Sequence, residues 1–148
     1  MAVNTKHPSY TAYESIWLDL RAAYEGSRAV KAAETRYLPR PLGMRRPEQY
    51  SAYVGRTAWF GATEWAVHGL TGAAFRHAPQ LDAPAALLPQ LDDVTQDGVS
   101  WQAFAEDTVR ETLLMSRYGV LVDFPQLPPG NGGTAPTTTI RPYWVPYP

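Results

Sequence analysis

The chain has 148 residues, 45 % of them hydrophobic and 18 % charged, with a formal net charge of −1 and no cysteine. This is the make-up of an ordinary globular chain of about one domain. It excludes a disulfide framework and thiolate metal sites, and a global field aimed at nucleic acid or an anionic membrane.

The amino-terminal MAVNTKHPSY has no apolar core of a signal peptide, and no run reaches the roughly 18 apolar residues that would span a bilayer. The chain reads as soluble and made in the cytoplasm. His7-Pro8-Ser9 supplies a proline and a capping hydroxyl. Tyr10, Tyr13, Trp17, Leu20 and Tyr24 follow at helical spacing, predicting a helix over 9–25 that ends at Gly26. A short basic helix over 28–35 comes next, then a loop over 36–47 rich in proline. Pro47 and Glu48 suit the first turn of a second long helix, over 47–68. GLTGAAF at 69–75 reads as its end or a bend.

Pro79, Pro84 and Pro89 bracket a short helical piece at 85–91, and Asp97-Gly98 turns the chain. Ser100 is a good N-cap for a third long helix, over 100–117, with Trp101, Phe104, Thr108, Val109 and Met115 on one face. Val120–Phe124 is a strand whose continuous apolar run predicts cover on both faces. A loop rich in proline and glycine over 125–136 leads to a second strand near 138–145. That loop is too short and too broken for a helical crossover, so the strands should pair antiparallel. The predicted class is α+β: mainly helical over 1–118, then strand–loop–strand over 119–148. Trp17, Phe60, Trp65, Trp101 and Phe104 are expected to lie mostly buried where the long helices meet.

The charge is unevenly distributed. Residues 28–46 hold Arg28, Lys31, Arg36, Arg40, Arg45 and Arg46 against Glu34 alone. Residues 80–112 hold Asp82, Asp92, Asp93, Asp97, Glu106, Asp107 and Glu111 against Arg110 alone. Such stretches are ordinarily solvated faces. Their opposite signs also make Arg45, Arg46, Asp92 and Asp93 candidates for contacts between subunits.

Signals for chemistry are few. There is no phosphate-binding G-x-x-x-x-G-K-[ST], no G-x-S-x-G and no H-E-x-x-H. His7, His68 and His77 are scattered and fit surface or capping roles. Asp93 to Gly98 matches the opening of a calcium loop, but Phe104 stands where the bidentate glutamate belongs. Asp107 and Glu111, four apart, could share a helix face as a hydrolase pair would, although solvated carboxylates explain them as well. Arg45-Arg46 beside Tyr50 and Tyr53 mixes bases with aromatics, as surfaces for single-stranded nucleic acid do. No catalytic residue, cofactor or metal ligand is assigned.

The order of several short stretches is more informative. HPSY (7–10), YEGSRAVKAAETRYLPRP (24–41), EQYSAYVGRTAWFGAT (48–63), GLTGAAFRHAP (69–79), DGVSWQAFA (97–105), RYGVLVDFP (117–125) and IRPYWVPY (140–147) occur in sequence. In this order the chain resembles the N-terminal part of a family of portal or portal-like proteins from tailed phages and prophages. The resemblance covers nearly all 148 residues.

It implies a structural virion protein: a ring, typically of twelve subunits, at one capsid vertex, through which double-stranded DNA is packaged and ejected. It implies capsid, terminase and head-completion partners, with the ATPase supplied by the terminase. Family members continue for several hundred residues beyond the strand resembling RPYWVPY, so these residues read as a piece of the portal wing. The family has no catalytic residues to carry over, and its residues facing DNA belong to the later part. Two rival classes are a small nucleic-acid-binding module using 28–46 and a hydrolase using Asp107 and Glu111.

Overall fold

A computed structural model of the chain describes residues 5–124 and 141–147. They form five α-helices and a two-stranded antiparallel sheet, in two compact units, Met1–Leu70 and Thr71–Pro148. Among the described residues no helix is long and apolar enough to cross a membrane.

In the first unit, α1 (Pro8–Glu25) starts one residue before the predicted position. His7, not Ser9, is the N-cap: its imidazole Nδ1 accepts from the Ser9 amide at 3.2 Å. Pro8 occupies the first turn, where no amide donor is needed. Tyr10 meets Trp17 edge-on with ring centres 5.1 Å apart. Gly26 ends the helix at φ 77°, a backbone state open to glycine at little cost, and its amide bonds back to the Ala22 carbonyl. The chain then enters α2 (Ser27–Ala32) and a 3-10 turn at Glu34–Arg36. Val30, Leu38 and Val67 are the buried apolar residues of this unit.

The predicted helix over 47–68 is two helices, α3 (Pro47–Arg56) and α4 (Ala62–Ala74). The break has a local cause. Thr57 is extended at ψ 127°, and both its amide and its hydroxyl turn back to the Tyr53 carbonyl. Gly55 before it and Gly61 after it make helix continuation unfavourable by about 1 kcal/mol each relative to alanine. α4 in turn runs through the 69–74 stretch expected to bend.

In the second unit a 3-10 turn at Leu88–Gln90 lies within the expected helical piece. α5 (Trp101–Met115) starts as predicted, with the Ser100 hydroxyl accepting from the Ala103 amide at 3.3 Å. It closes at Ser116, which stands in the left-handed region at φ 60°. Strands β1 (Gly119–Asp123) and β2 (Tyr143–Tyr147) pair antiparallel, with Leu121 opposite Val145. The expected start of the second strand, 138–140, lies outside the described residues, and its end runs two residues further, through Pro146. Among the described residues of this unit, Val94, Phe104 and Leu114 are the buried apolar ones.

Two expectations about burial fail. Of the five named aromatics only Phe104 is buried; Phe60 and Trp65 are 73 % and 70 % exposed. Phe60 lies in the break between α3 and α4, which removes it from the helical stripe, and Trp65 packs edge-on against it at 5.8 Å. β1 is exposed at every position, so its apolar run is not covered on both faces among the described residues.

Phe104→Ala should therefore lower the unfolding free energy by about 3–5 kcal/mol. Trp65→Ala should change it by less than about 0.5 kcal/mol. Chemical denaturation followed by circular dichroism separates the two; similar costs would show that Trp65 is a core residue.

Candidate functional site

Among the described residues a dense polar arrangement lies in the second unit, where one arginine joins two segments far apart in sequence, the stretch 90–96 and the start of β2. The turn over 93–98 is shaped first by its own side chains. Gln96 and Gly98 take left-handed backbone at φ 69° and 86°, and the Asp93 carboxylate accepts from the Gly98 amide at 2.9 Å. The Val94 amide bonds the Val99 carbonyl, and the Trp101 amide reaches back to the Leu91 carbonyl. The loop that resembled a calcium site is thus a closed turn leading into α5.

Arg141 enters this turn just before β2. Its Nη2 donates to Asp93 Oδ2 at 2.6 Å, and its Nη1 donates to the Asp93 and Gln90 carbonyls. The Gln96 side chain answers by donating to the Arg141 carbonyl at 3.0 Å. Only 19 % of the Arg141 side chain and 31 % of that of Asp93 is exposed. At that burial a planar guanidinium with several fixed partners is worth more than a surface ion pair. One further bond, from the Trp144 amide to the Val94 carbonyl at 2.8 Å, ties β2 itself to the turn.

Trp144 then meets Phe104 of α5 edge-on at 5.2 Å. Beside them α5 and the strands leave an open apolar groove of about 510 Å³, lined by Trp101, Phe104, Val109, Val120, Val122 and Trp144 among others. At the same end of the sheet, Asp123 accepts from the Phe124 amide and from the Tyr143 hydroxyl, each within 2.9 Å. These two bonds, the amide first, hold its carboxyl below the usual range, and the same contact raises the Tyr143 phenol.

The proposed interface residues fall in different units. Arg45 and Arg46 are exposed in the first, and the Gln49 side chain accepts from the Arg46 amide at the start of α3. Of the other bases in 28–46, Lys31 donates to the Gly55 carbonyl at 3.0 Å and Arg36 to Asp19 at 2.6 Å. Arg36, and then the Tyr37 hydroxyl, hold the Asp19 carboxyl below its ordinary value. Arg40 stacks over the Tyr50 ring. In the second unit Asp93 is engaged by Arg141 within its own chain, which leaves Asp92 as the acid facing outward.

The hydrolase candidates Asp107 and Glu111 lie on α5 outside this groove. Asp107 is paired with Arg110 on the same helix at 2.5 Å. Among the described residues no three His, Cys, Asp or Glu side chains gather as a metal ion would require. His68 stacks on Tyr24 with ring centres 5.8 Å apart and lies 3.2 Å from its hydroxyl. Sequence reasoning passed over Arg141, although it is a lone base within IRPYW at the mouth of a strand.

No protein-family model matches the chain, and no curated protein is significantly similar to it.

Arg141→Ala should destabilise the protein by about 1.5–3 kcal/mol, because a partly buried carboxylate loses its charged partner and the Asp93 and Gln90 carbonyls each lose a donor. Arg141→Lys should recover only part of this, since an ammonium cannot span the same acceptors. Faster hydrogen exchange at the Trp144 amide would report the loosened strand; an unchanged rate in Arg141→Ala would show that β2 is held by other contacts.

Asp123 gives a pH dependence of known sign. A depressed carboxyl contributes stability above the ordinary range of about 3.9 and loses it as pH falls through the folded-state value. Tyr143→Phe should move the Asp123 titration upward by NMR and weaken the acid dependence of stability; an unmoved titration would mean that the Phe124 amide alone sets it.

Proposed function

We propose that these residues form the N-terminal wing segment of a phage or prophage portal, a structural subunit of the ring through which double-stranded DNA enters and leaves the capsid. The observation that carries this reading is the order of the seven stretches from HPSY to IRPYWVPY along the chain. Helices followed by an antiparallel strand pair are compatible with a segment that acts through contacts rather than chemistry. The segment acts in the virion at a capsid vertex. Other portal subunits are its first partners, with capsid, terminase and head-completion proteins around the ring.

In a closed ring each subunit offers one flank to the next and a different flank to the previous one. The basic 28–46 and acidic 80–112 stretches suit two such flanks, because complementary potentials fix register and speed encounter. Exposed ion pairs give only about 0–1 kcal/mol each, so apolar contacts must supply most of the holding energy. Lys31 and Arg36 are engaged within the chain, which leaves Arg28, Arg45 and Arg46 as the bases best placed to act outward. Asp92 is their counterpart, because Asp93 anchors Arg141.

The test uses the complete portal protein. Arg45→Glu with Arg46→Glu should reduce ring yield, measured as particle mass by native mass spectrometry or electron microscopy. Asp92→Lys added to that variant should restore part of it. Normal rings from the double reversal would return both stretches to solvated faces. Particles that are never rings, with DNA binding that weakens steeply with salt, would instead support the nucleic-acid module.

A further inference from the structure

The two edges of the small sheet differ. The Trp144 amide bonds the Val94 carbonyl and so points away from β1. Bonded and non-bonded pairs alternate along an antiparallel ladder. Trp144 opposite Val122 and Pro146 opposite Val120 are therefore non-bonded pairs. The outer edge of β2 is thereby closed: one amide is taken by Val94, and the next outward position is a proline without a donor. This is how natural sheets blunt an edge.

The outer edge of β1 carries no such protection. By the same alternation, Val120 and Val122 direct their amides and carbonyls outward, and among the described residues no partner meets them. No proline or bulge interrupts the strand, and its one charge, Asp123, stands at the end. Val120, Leu121 and Val122 are 43 %, 52 % and 61 % exposed, so apolar surface flanks the open edge on both faces. A two-stranded ribbon is marginal by itself, and a continuous apolar run is the pattern of a strand inside a larger sheet.

We infer that the open edge of β1 is a strand-addition site whose occupant is β1 of a second copy of this chain, giving a four-stranded sheet β2-β1-β1-β2 about a two-fold axis. The strand is complementary to itself when paired antiparallel about Leu121. Val120 then lies opposite Val122 of the partner subunit, and Val122 opposite the partner's Val120. Those are the residues whose backbone groups face outward, so both pairs are hydrogen-bonded, about four bonds in all.

Asp123 falls opposite Gly119 of the partner subunit. No like charges meet, and the glycine leaves room for the carboxylate and its bond from Tyr143. Leu121 meets the partner's Leu121 on the face away from α5. Because the axis is perpendicular to the sheet, both α5 helices lie on one side, and the two grooves lined by Val120 and Val122 join. The second copy is favoured over an unrelated strand because each element that pairing requires is present in the five residues Gly119–Asp123.

This pairing does not rest on the ring reading. A ring closes by unlike flanks, whereas this contact is two-fold, so either can fail without the other. The test is sedimentation equilibrium of the 148-residue chain from micromolar to millimolar concentration. A reversible species of twice 16.4 kDa is expected. Val122→Pro removes one outward amide without touching a bond to β2, and should weaken the dimer at least about tenfold while its circular dichroism stays unchanged. Mixed-label NMR of the wild-type dimer keeps the test independent of that variant: contacts are expected between the Val120 amide and Val122 of the partner subunit. A monomer throughout the range, open-ended association, or a dimer whose interchain contacts lie elsewhere would each overturn the proposal.

Discussion

The second unit depends on the contact between Arg141 and Asp93. The guanidinium joins a residue at the mouth of β2 to a turn 48 positions earlier in the chain. That turn also sets where α5 begins, through the bond from the Trp101 amide to the Leu91 carbonyl. One side chain therefore fixes the strand relative to the helix that underlies it. Apolar packing alone would do this poorly, because most of β2 is only half-buried and few side chains here are fully covered. A partly buried guanidinium with carboxylate and carbonyl partners has one good geometry, whereas a loose apolar contact has many. Together with the bond from the Trp144 amide to the Val94 carbonyl, it helps to place Trp144 against Phe104.

Much of the local structure was legible in the sequence because its causes are local. Gly26, Ser100 and Pro47 punctuate the helices where the sequence predicts, and α5 and β1 lie close to their expected positions. The antiparallel pairing followed from the short, broken connection. The break at Thr57 was not legible, since it depends on a hydroxyl returning to Tyr53 and outweighing a helical stripe that continues on paper. Once the break exists, Phe60 and Trp65 leave the core face, so a single error of backbone produced two errors of burial.

The candidate site was less legible than the fold. Asp93 drew attention as a calcium ligand and as an interface acid, but its partner, Arg141, has no periodic or spacing signal that ties the two together. Pairings across such separations are decided by tertiary packing. The charge asymmetry between 28–46 and 80–112 is real in sequence, yet the structure divides each stretch into bases and acids already engaged and those left outward. That division decides which residues are useful handles on assembly, and composition cannot make it.

The connection between α5 and β1 is only three residues long, from Ser116 to Tyr118. Ser116 caps the helix through its amide to the Thr112 carbonyl, so the strand leaves the helix at a set angle. Helix and first strand can therefore find each other at little loop-closure cost, whereas β2 must return across the interval between Asp123 and Tyr143. Contacts of low sequence separation form fastest. On loop-closure cost alone β2 would be the last to join, leaving the apolar ribbon incomplete until Arg141 reaches Asp93. A newly made chain would be most prone to aggregation in that interval, and the rate at which the arginine docks would set how long the interval lasts.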